Sequence, residues 1–141
     1  MADLTYLQSI TYADTQIYIP PVYLCKVIKV YDGDTITVAT KLYTPDSPIY
    51  RFSVRLAGID TPEIRGSTTA EKMAAVNCRD VLSDMIMGKI VFLKNVQFEK
   101  YGRLLADVYL GDLHLNKYLL DNKYAVSYDG GKKINNMSNN I

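Results

Sequence analysis

Apolar positions along the chain change period repeatedly, and each change marks an element. From Val22 to Val30 β-branched and aromatic residues predominate. Beyond a tight turn at Asp32-Gly33, Ile36-Thr37-Val38 alternates apolar with polar, which predicts a hairpin. Thr44-Pro45-Asp46-Ser47-Pro48 is loop chemistry, and Phe52, Val54 and Leu56 then alternate with Arg51, Ser53 and Arg55 in the period of a half-buried strand. Thr68, with Glu71 three residues on, forms a capping box. Ala70, Ala74, Cys78, Val81 and Met85 recur at helical spacing behind it, so a helix of roughly Thr69 to Met87 is expected, stopped by Gly88. Ile90, Phe92, Val96 and Phe98 share one strand parity. Leu104 to Leu110 returns toward Leu113 and Leu115 through Gly111-Asp112, and a short helix follows around Leu115 to Asn122.

Three strands, a helix, two or three more strands and a second helix predict an α+β, mainly β fold. The fitting architecture is a five-stranded Greek-key OB barrel with an inserted helix and a short second helix. Pro20-Pro21 can lie neither in a helix nor in a central strand, so residues 1–21 are read as an N-terminal extension, 22–129 as the barrel domain and 130–141 as a flexible polar tail.

Composition narrows the class without naming a task. The 141 residues suit one domain, and 48% apolar with 22% charged residues excludes a disordered chain. The start, MADLTYLQSI, lacks a basic n-region and an apolar core, and no apolar run approaches the ~18 residues that span a bilayer. A cytoplasmic, membrane-free monomer is therefore expected. Cys25 and Cys78 have no metal-ligand spacing and are expected to be reduced core residues, while the single histidine, His114, excludes a two-histidine metal motif within the chain. The net charge of +1 offers no global attraction for a polyanion, so any such ligand must be held locally.

Candidate chemistry sits at turns and strand ends. Asp32-Gly33-Asp34-Thr35 and Asp60-Thr61-Pro62-Glu63 are each ordinary as a hairpin turn or a helix start. Arg55 and Arg103 taken singly are ordinary surface residues. Together these segments supply Asp34, Asp60 and Glu63 with two guanidinium groups, at positions where a rigid barrel places its sites.

The segments VYDGDTITV, RFSVRLAGIDTPE and EKYGRLLADVY, in this order with a capped helix between the second and third, resemble the signature regions of the staphylococcal nuclease (thermonuclease) family. The likeness runs from about Val22 to Tyr128. It implies a Ca²⁺ held by the carboxylates of Asp34 and Asp60 and the carbonyl of Thr61, with Glu63 as general base or water-orienting group. It further implies Arg55 and Arg103 on the scissile phosphate, and Lys100, Tyr101 and Tyr128 as substrate-binding residues, Tyr128 falling about one position out of register. The implied reaction is hydrolysis of DNA and/or RNA by in-line water attack, leaving 3′-phosphate and 5′-hydroxyl ends. The alternative is a non-catalytic nucleic-acid or peptide-binding module of the same family. The stretch Ile64 to Thr68 is shorter than the mobile loop of the family's best-known member, and the family's C-terminal helix is expected to be absent after Gly131 or replaced, with the N-terminal extension as a candidate replacement.

Overall fold

The computed structural model describes residues 2–64 and 68–128. In chain order the elements are α1 (Thr5–Ser9), β1 (Leu24–Asp32), β2 (Thr35–Lys41), β3 (Ile49–Leu56), β4 (Ile59–Asp60), α2 (Thr69–Ile86), β5 (Ile90–Phe98), β6 (Leu104–Leu110), β7 (Leu113–His114), α3 (Leu115–Asp121) and β8 (Val126–Ser127). Strands run β3-β2-β1-β5-β6-β7, and a parallel pairing of β3 with β6 closes the first five into a mixed barrel. This is the expected OB-type fold. Closure satisfies the backbone groups that open edges would leave unpaired.

The barrel closes around branched side chains that alternate along each strand. Cys25 and Val27, Ile36 and Val38, Val54 and Leu56, Val91 and Leu93, and Leu104, Ala106 and Val108 all point inward. α2 and α3 cap this core with Cys78, Leu82 and Ile86 and with Leu115 and Leu119. Asn116 pins α3 to the barrel: buried, it accepts from the Val108 amide at 3.0 Å and donates to the carbonyls of Ala57 and Ala106 at 2.8 and 3.1 Å. Unpaired, such an amide would cost more than it stabilises.

Several expectations are corrected. α2 starts at the expected capping box, with Glu71 N donating to Thr68 Oγ1 at 3.0 Å, but its core stripe is Ala75, Cys78, Leu82 and Ile86. Two apolar stripes cross at Cys78, and the one ending in the bulkier Leu82 and Ile86 fills the barrel end, leaving Ala70 and Ala74 exposed. In β5 the shared parity of Ile90, Phe92 and Phe98 faces outward, and Val91 and Leu93 face the core. A register shift between Lys94 and Gln97, with Asn95 at φ 54°, then breaks the alternation. β1 starts at Leu24 rather than Val22, although the Val22 side chain is fully buried.

The N-terminal extension contains α1 and a 3₁₀ turn at Tyr12–Asp14, neither with a buried residue, and the Tyr18 hydroxyl meets that of Tyr43. The expected polar tail, 130–141, lies outside the described residues, as do 65–67 of the loop after Glu63. Among the described residues no helix is long and apolar enough to cross a membrane. Cys25 and Cys78 are free and buried, as expected. Burial pushes the Cys25 thiol up to about 12 and the Cys78 thiol up to about 11, the latter helped by Asp34 and Asp32.

Candidate active site

Strand register puts the first residues of the site side by side. Asp32 pairs with Thr35, and Thr35 with Arg55, in one row across β1, β2 and β3. The two-residue connection Gly33-Asp34 carries the Asp34 carboxylate over the end of that row. Gly33 does not adopt the left-handed backbone that favours glycine. Its glycine answers a close approach: a Cβ there would stand 2.3 Å from Cys78 Sγ and 3.1 Å from Thr61 Cγ2. The turn is thus wedged between α2 and the segment after β4.

Arg55 organises the charges. Its Nη2 lies 3.4 Å from Asp34 Oδ2 and 3.3 Å from Asp60 Oδ1, and its guanidinium carbon sits 4.9 Å from the centroid of the Tyr128 ring. Arg55 and Asp34 are both buried, so the pairing is little screened. The Thr61 amide donates to Asp34 Oδ2 at 3.2 Å and the Thr35 hydroxyl to Asp34 Oδ1 at 3.1 Å. Asp32 accepts from the Asp34 amide at 3.1 Å. Its own carboxyl is pushed up to about 7, first by burial and then by a hydrogen bond to Asp34 and that neighbour's charge.

The opposite wall comes from the turn before β6. Parallel pairing sets Val54 against Leu104 and Arg55 against Leu105, which brings Arg103 alongside the end of β3. Arg103 is half-buried and paired: its Nε meets Glu99 Oε1 at 2.8 Å, and the Glu99 amide donates to the Arg103 carbonyl at 2.7 Å. Between them Tyr101 and Gly102 both adopt left-handed backbone, at φ 65° and 78°, and the Tyr101 ring projects outward, 91% exposed. Tyr128 arrives through the short β4–β8 ladder, in which Ile59 pairs with Ser127 and the Tyr128 amide donates to the Gly58 carbonyl at 2.9 Å.

Asp34, Arg55, Asp60, Thr61, Glu63, Lys100, Tyr101, Arg103 and Tyr128, every site residue expected from the sequence, line one open cavity of about 840 Å³. Glu63 and Lys100 stand exposed at its rim. The same cavity is lined by Asp32, Glu99, Lys29, Tyr31, Thr37 and Ser53, which sequence reasoning did not assign. Asp32 was legible only as a turn residue, and the ion pair of Glu99 with Arg103 leaves its trace in the i, i+4 spacing. His114 lies elsewhere, stacked on Tyr109 with centroids 4.6 Å apart and 3.8 Å from Asp107. Five carboxylates and four cations line the cavity, with Arg55 between Asp34 and Asp60 and Arg103 on the opposite wall, so it offers both oxygen ligands and guanidinium groups to one bound group.

The sequence profile of staphylococcal nuclease homologues matches residues 53–140. An uncharacterized endonuclease of Haemophilus influenzae is 33% identical over 104 residues, 74% of this chain and 52% of that protein. The thermonuclease of Staphylococcus hyicus is 34% identical over 96 residues, 67% of this chain and 53% of that protein. An uncharacterized endonuclease of Escherichia coli is 28% identical over 96 residues, again 67% of this chain, and 54% of that protein. The chain thus spans about half the length of these relatives.

Proposed function

Because the chain belongs to the staphylococcal nuclease family, we propose that its cavity hydrolyses phosphodiester bonds of DNA and/or RNA in a calcium-dependent reaction. The observation that carries this reading is the meeting of Asp34, Asp60, Glu63, Arg55 and Arg103 around one open cavity. A structural calcium domain has no use for two arginines there.

The donor set fits a hard cation. Among the described residues no three acidic, histidine or cysteine side chains make a metal cluster by themselves. Asp34 and Asp60 instead present two carboxylates to one point, now spanned by Arg55 Nη2, and the Thr61 carbonyl is the third donor in this reading. Such a partial shell suits Ca²⁺, which accepts loose oxygen coordination completed by water and phosphate. When bound, the ion supplies positive charge against the phosphate oxygens.

The chain's own groups do the rest. Glu63 accepts a proton from the attacking water and orients it in line with the 5′ oxygen. Arg55 and Arg103 form charge-assisted hydrogen bonds to the phosphate and offset the extra negative charge of the five-coordinate transition state. Glu99 holds the Arg103 fork from behind. As the bond to phosphorus breaks, the 5′ oxygen leaves and takes up a proton, giving a 5′-hydroxyl and a 3′-phosphate. Lys100 and Tyr101 meet a neighbouring phosphate, and Tyr128 offers a ring beside Arg55.

The test is to incubate purified protein with single-stranded DNA, duplex DNA and RNA, with calcium or with chelator, and to analyse the product ends. Calcium-dependent cleavage leaving 3′-phosphate ends is expected, with Glu63→Gln slower by ~10² to 10⁴. Absence of cleavage in every arm removes the enzyme reading in favour of a binding module.

A further inference from the structure

The outer face of β1–β3 carries a line of cations leading away from the cavity. Antiparallel register sets side chains in rows. Asp32, Thr35 and Arg55 make the first, Lys29, Thr37 and Ser53 the second, and Lys26, Ala39 and Arg51 the third. On an unbroken β1 the members Lys26, Lys29 and Asp32 could not share a face, because residues three apart point to opposite sides. Register shifts between Val27 and Lys29 and between Val30 and Asp32 each add one residue and return all three to the same face. A bulge disrupts the ladder, and bulges tend to sit beside active sites, where they re-aim side chains. Here Tyr31 is the added residue of the second, and its exposed ring lies 6.0 Å from the Lys29 ammonium.

The cations on this face are available. Lys26, Lys29 and Arg51 are exposed, and none takes part in an ion pair among the described residues. Lys29, Tyr31, Thr37 and Ser53 also line the cavity, so the second row is continuous with the site. Rows two residues apart along β2 and β3 are separated by about 6.7 Å. That step is comparable with the spacing of successive phosphates in an extended single strand.

We propose that these rows form a track for single-stranded nucleic acid running from the phosphate held at Arg55. The next phosphate lies against Lys29 with the hydroxyls of Thr37 and Ser53, and the one after it against Lys26 and Arg51. Tyr31 gives an unpaired base a ring to stack on, which a paired base cannot reach. The track resolves the difficulty set by a net charge of +1: the polyanion is gathered by a local stripe rather than by the field of the whole molecule. The proposal rests on the nuclease reading for its starting phosphate.

The experiment uses the full chain and a triple variant, Lys26→Ala/Lys29→Ala/Arg51→Ala. A control, Arg79→Ala/Lys94→Ala/Lys117→Ala, removes the same charge from α2, β5 and α3. Binding of a fluorescent oligothymidylate of about twelve nucleotides is followed by anisotropy in chelator across a salt series. The track variant is expected to bind ~10 to 100-fold more weakly at low salt. The slope of log affinity against log salt should shrink by about 1.4, near 0.7 for each of two lost phosphate contacts. The control should keep the wild-type slope. Unchanged affinity and slope in the track variant overturn the proposal, as does an equal loss in the control. In a cleavage arm with calcium, kcat/KM on the long substrate should fall about tenfold while a dinucleotide is cut as by wild type; an equal fall on both overturns the track. A wild type that binds with the expected slope but cleaves neither substrate removes the nuclease reading and leaves the track supported.

Discussion

Arg55 answers to Asp34, Asp60 and the Tyr128 ring at once, whereas the half-buried Arg103 side chain pairs with Glu99, and this difference separates their variants. Lysine keeps the charge but not the planar fork, so both Arg55→Lys and Arg103→Lys should lose on the order of 10² to 10³ in single-turnover cleavage. Only Arg55→Lys should also lose stability, about 1 to 2 kcal/mol by urea unfolding, because its pairs are buried. Wild-type stability in Arg55→Lys would show those pairs to be idle. Asp32 makes a separate prediction. Its carboxyl titrates near 7 in the fold, above the ordinary carboxylate value of 3.8. The native state therefore binds more protons than the unfolded chain between these limits, and its contribution is lost as pH rises through that window. In chelator, Asp32→Asn should be more stable than wild type at pH 7.5 by on the order of 1 kcal/mol, with the gain vanishing toward pH 4. A gain independent of pH would remove the ionisation from the argument. At this scale the groups named from the sequence were those at turns and strand ends, where carboxylate and guanidinium are conspicuous. Asp32 was hidden by being a good turn residue as well.

Between residues and the barrel, the elements show what local pattern can and cannot carry. The capping box fixed the start of α2 because both of its hydrogen bonds are local, joining Thr68 and Glu71. Which face of α2 meets the barrel is a tertiary matter, and two apolar stripes sharing Cys78 competed for it. The two bulges of β1 were equally invisible, since register is set by the partner strand and no glycine or proline marks them. Gly33 was legible as a turn residue, but its reason lies in α2. Gly33→Ala would press a methyl group to 2.3 Å from Cys78 Sγ, so overpacking should cost about 1 to 3 kcal/mol. Adding Cys78→Ala removes the sulfur while leaving Cβ at 3.1 Å, so the double variant should recover part of that cost. Strictly additive losses in a double-mutant cycle of urea unfolding would show that the turn and α2 do not press on each other.

At the level of the whole molecule the site depends on closure. Parallel pairing of β3 with β6 joins segments about fifty residues apart in sequence, and without it Arg55 and Arg103 would share no cavity. The order of elements announced an OB-type barrel, but nothing in the local pattern gives the register of that seam. The buried thiols give a way to ask whether the seam, the barrel and α2 open as one unit. Cys25 sits on β1 and Cys78 on α2, both reduced and buried, with thiols pushed up to about 12 and 11. At pH 8 a thiol reagent should therefore reach either only after opening restores an ordinary thiolate fraction. A cooperative fold predicts equal labelling rates for the two, each rising with urea in step with global unfolding. If α2 detaches first, Cys78 is labelled ahead of Cys25 and its rate depends less on urea. The site is coupled to this opening, because the turn bearing Asp34 packs on Cys78 through Gly33. In the proposed calcium reading, saturating calcium with a nucleoside bisphosphate adds its binding free energy to the folded state, so at 100 times Kd labelling should slow about 100-fold for any opening that dissolves the site. The check is mass-resolved labelling of wild type beside Cys25→Ala and Cys78→Ala, with and without ligand. Slowing of Cys78 alone would localise the ligand's effect to α2 and its turn, slowing of both would make barrel and site one cooperative unit, and slowing of neither would show that the site is not formed by the packing described.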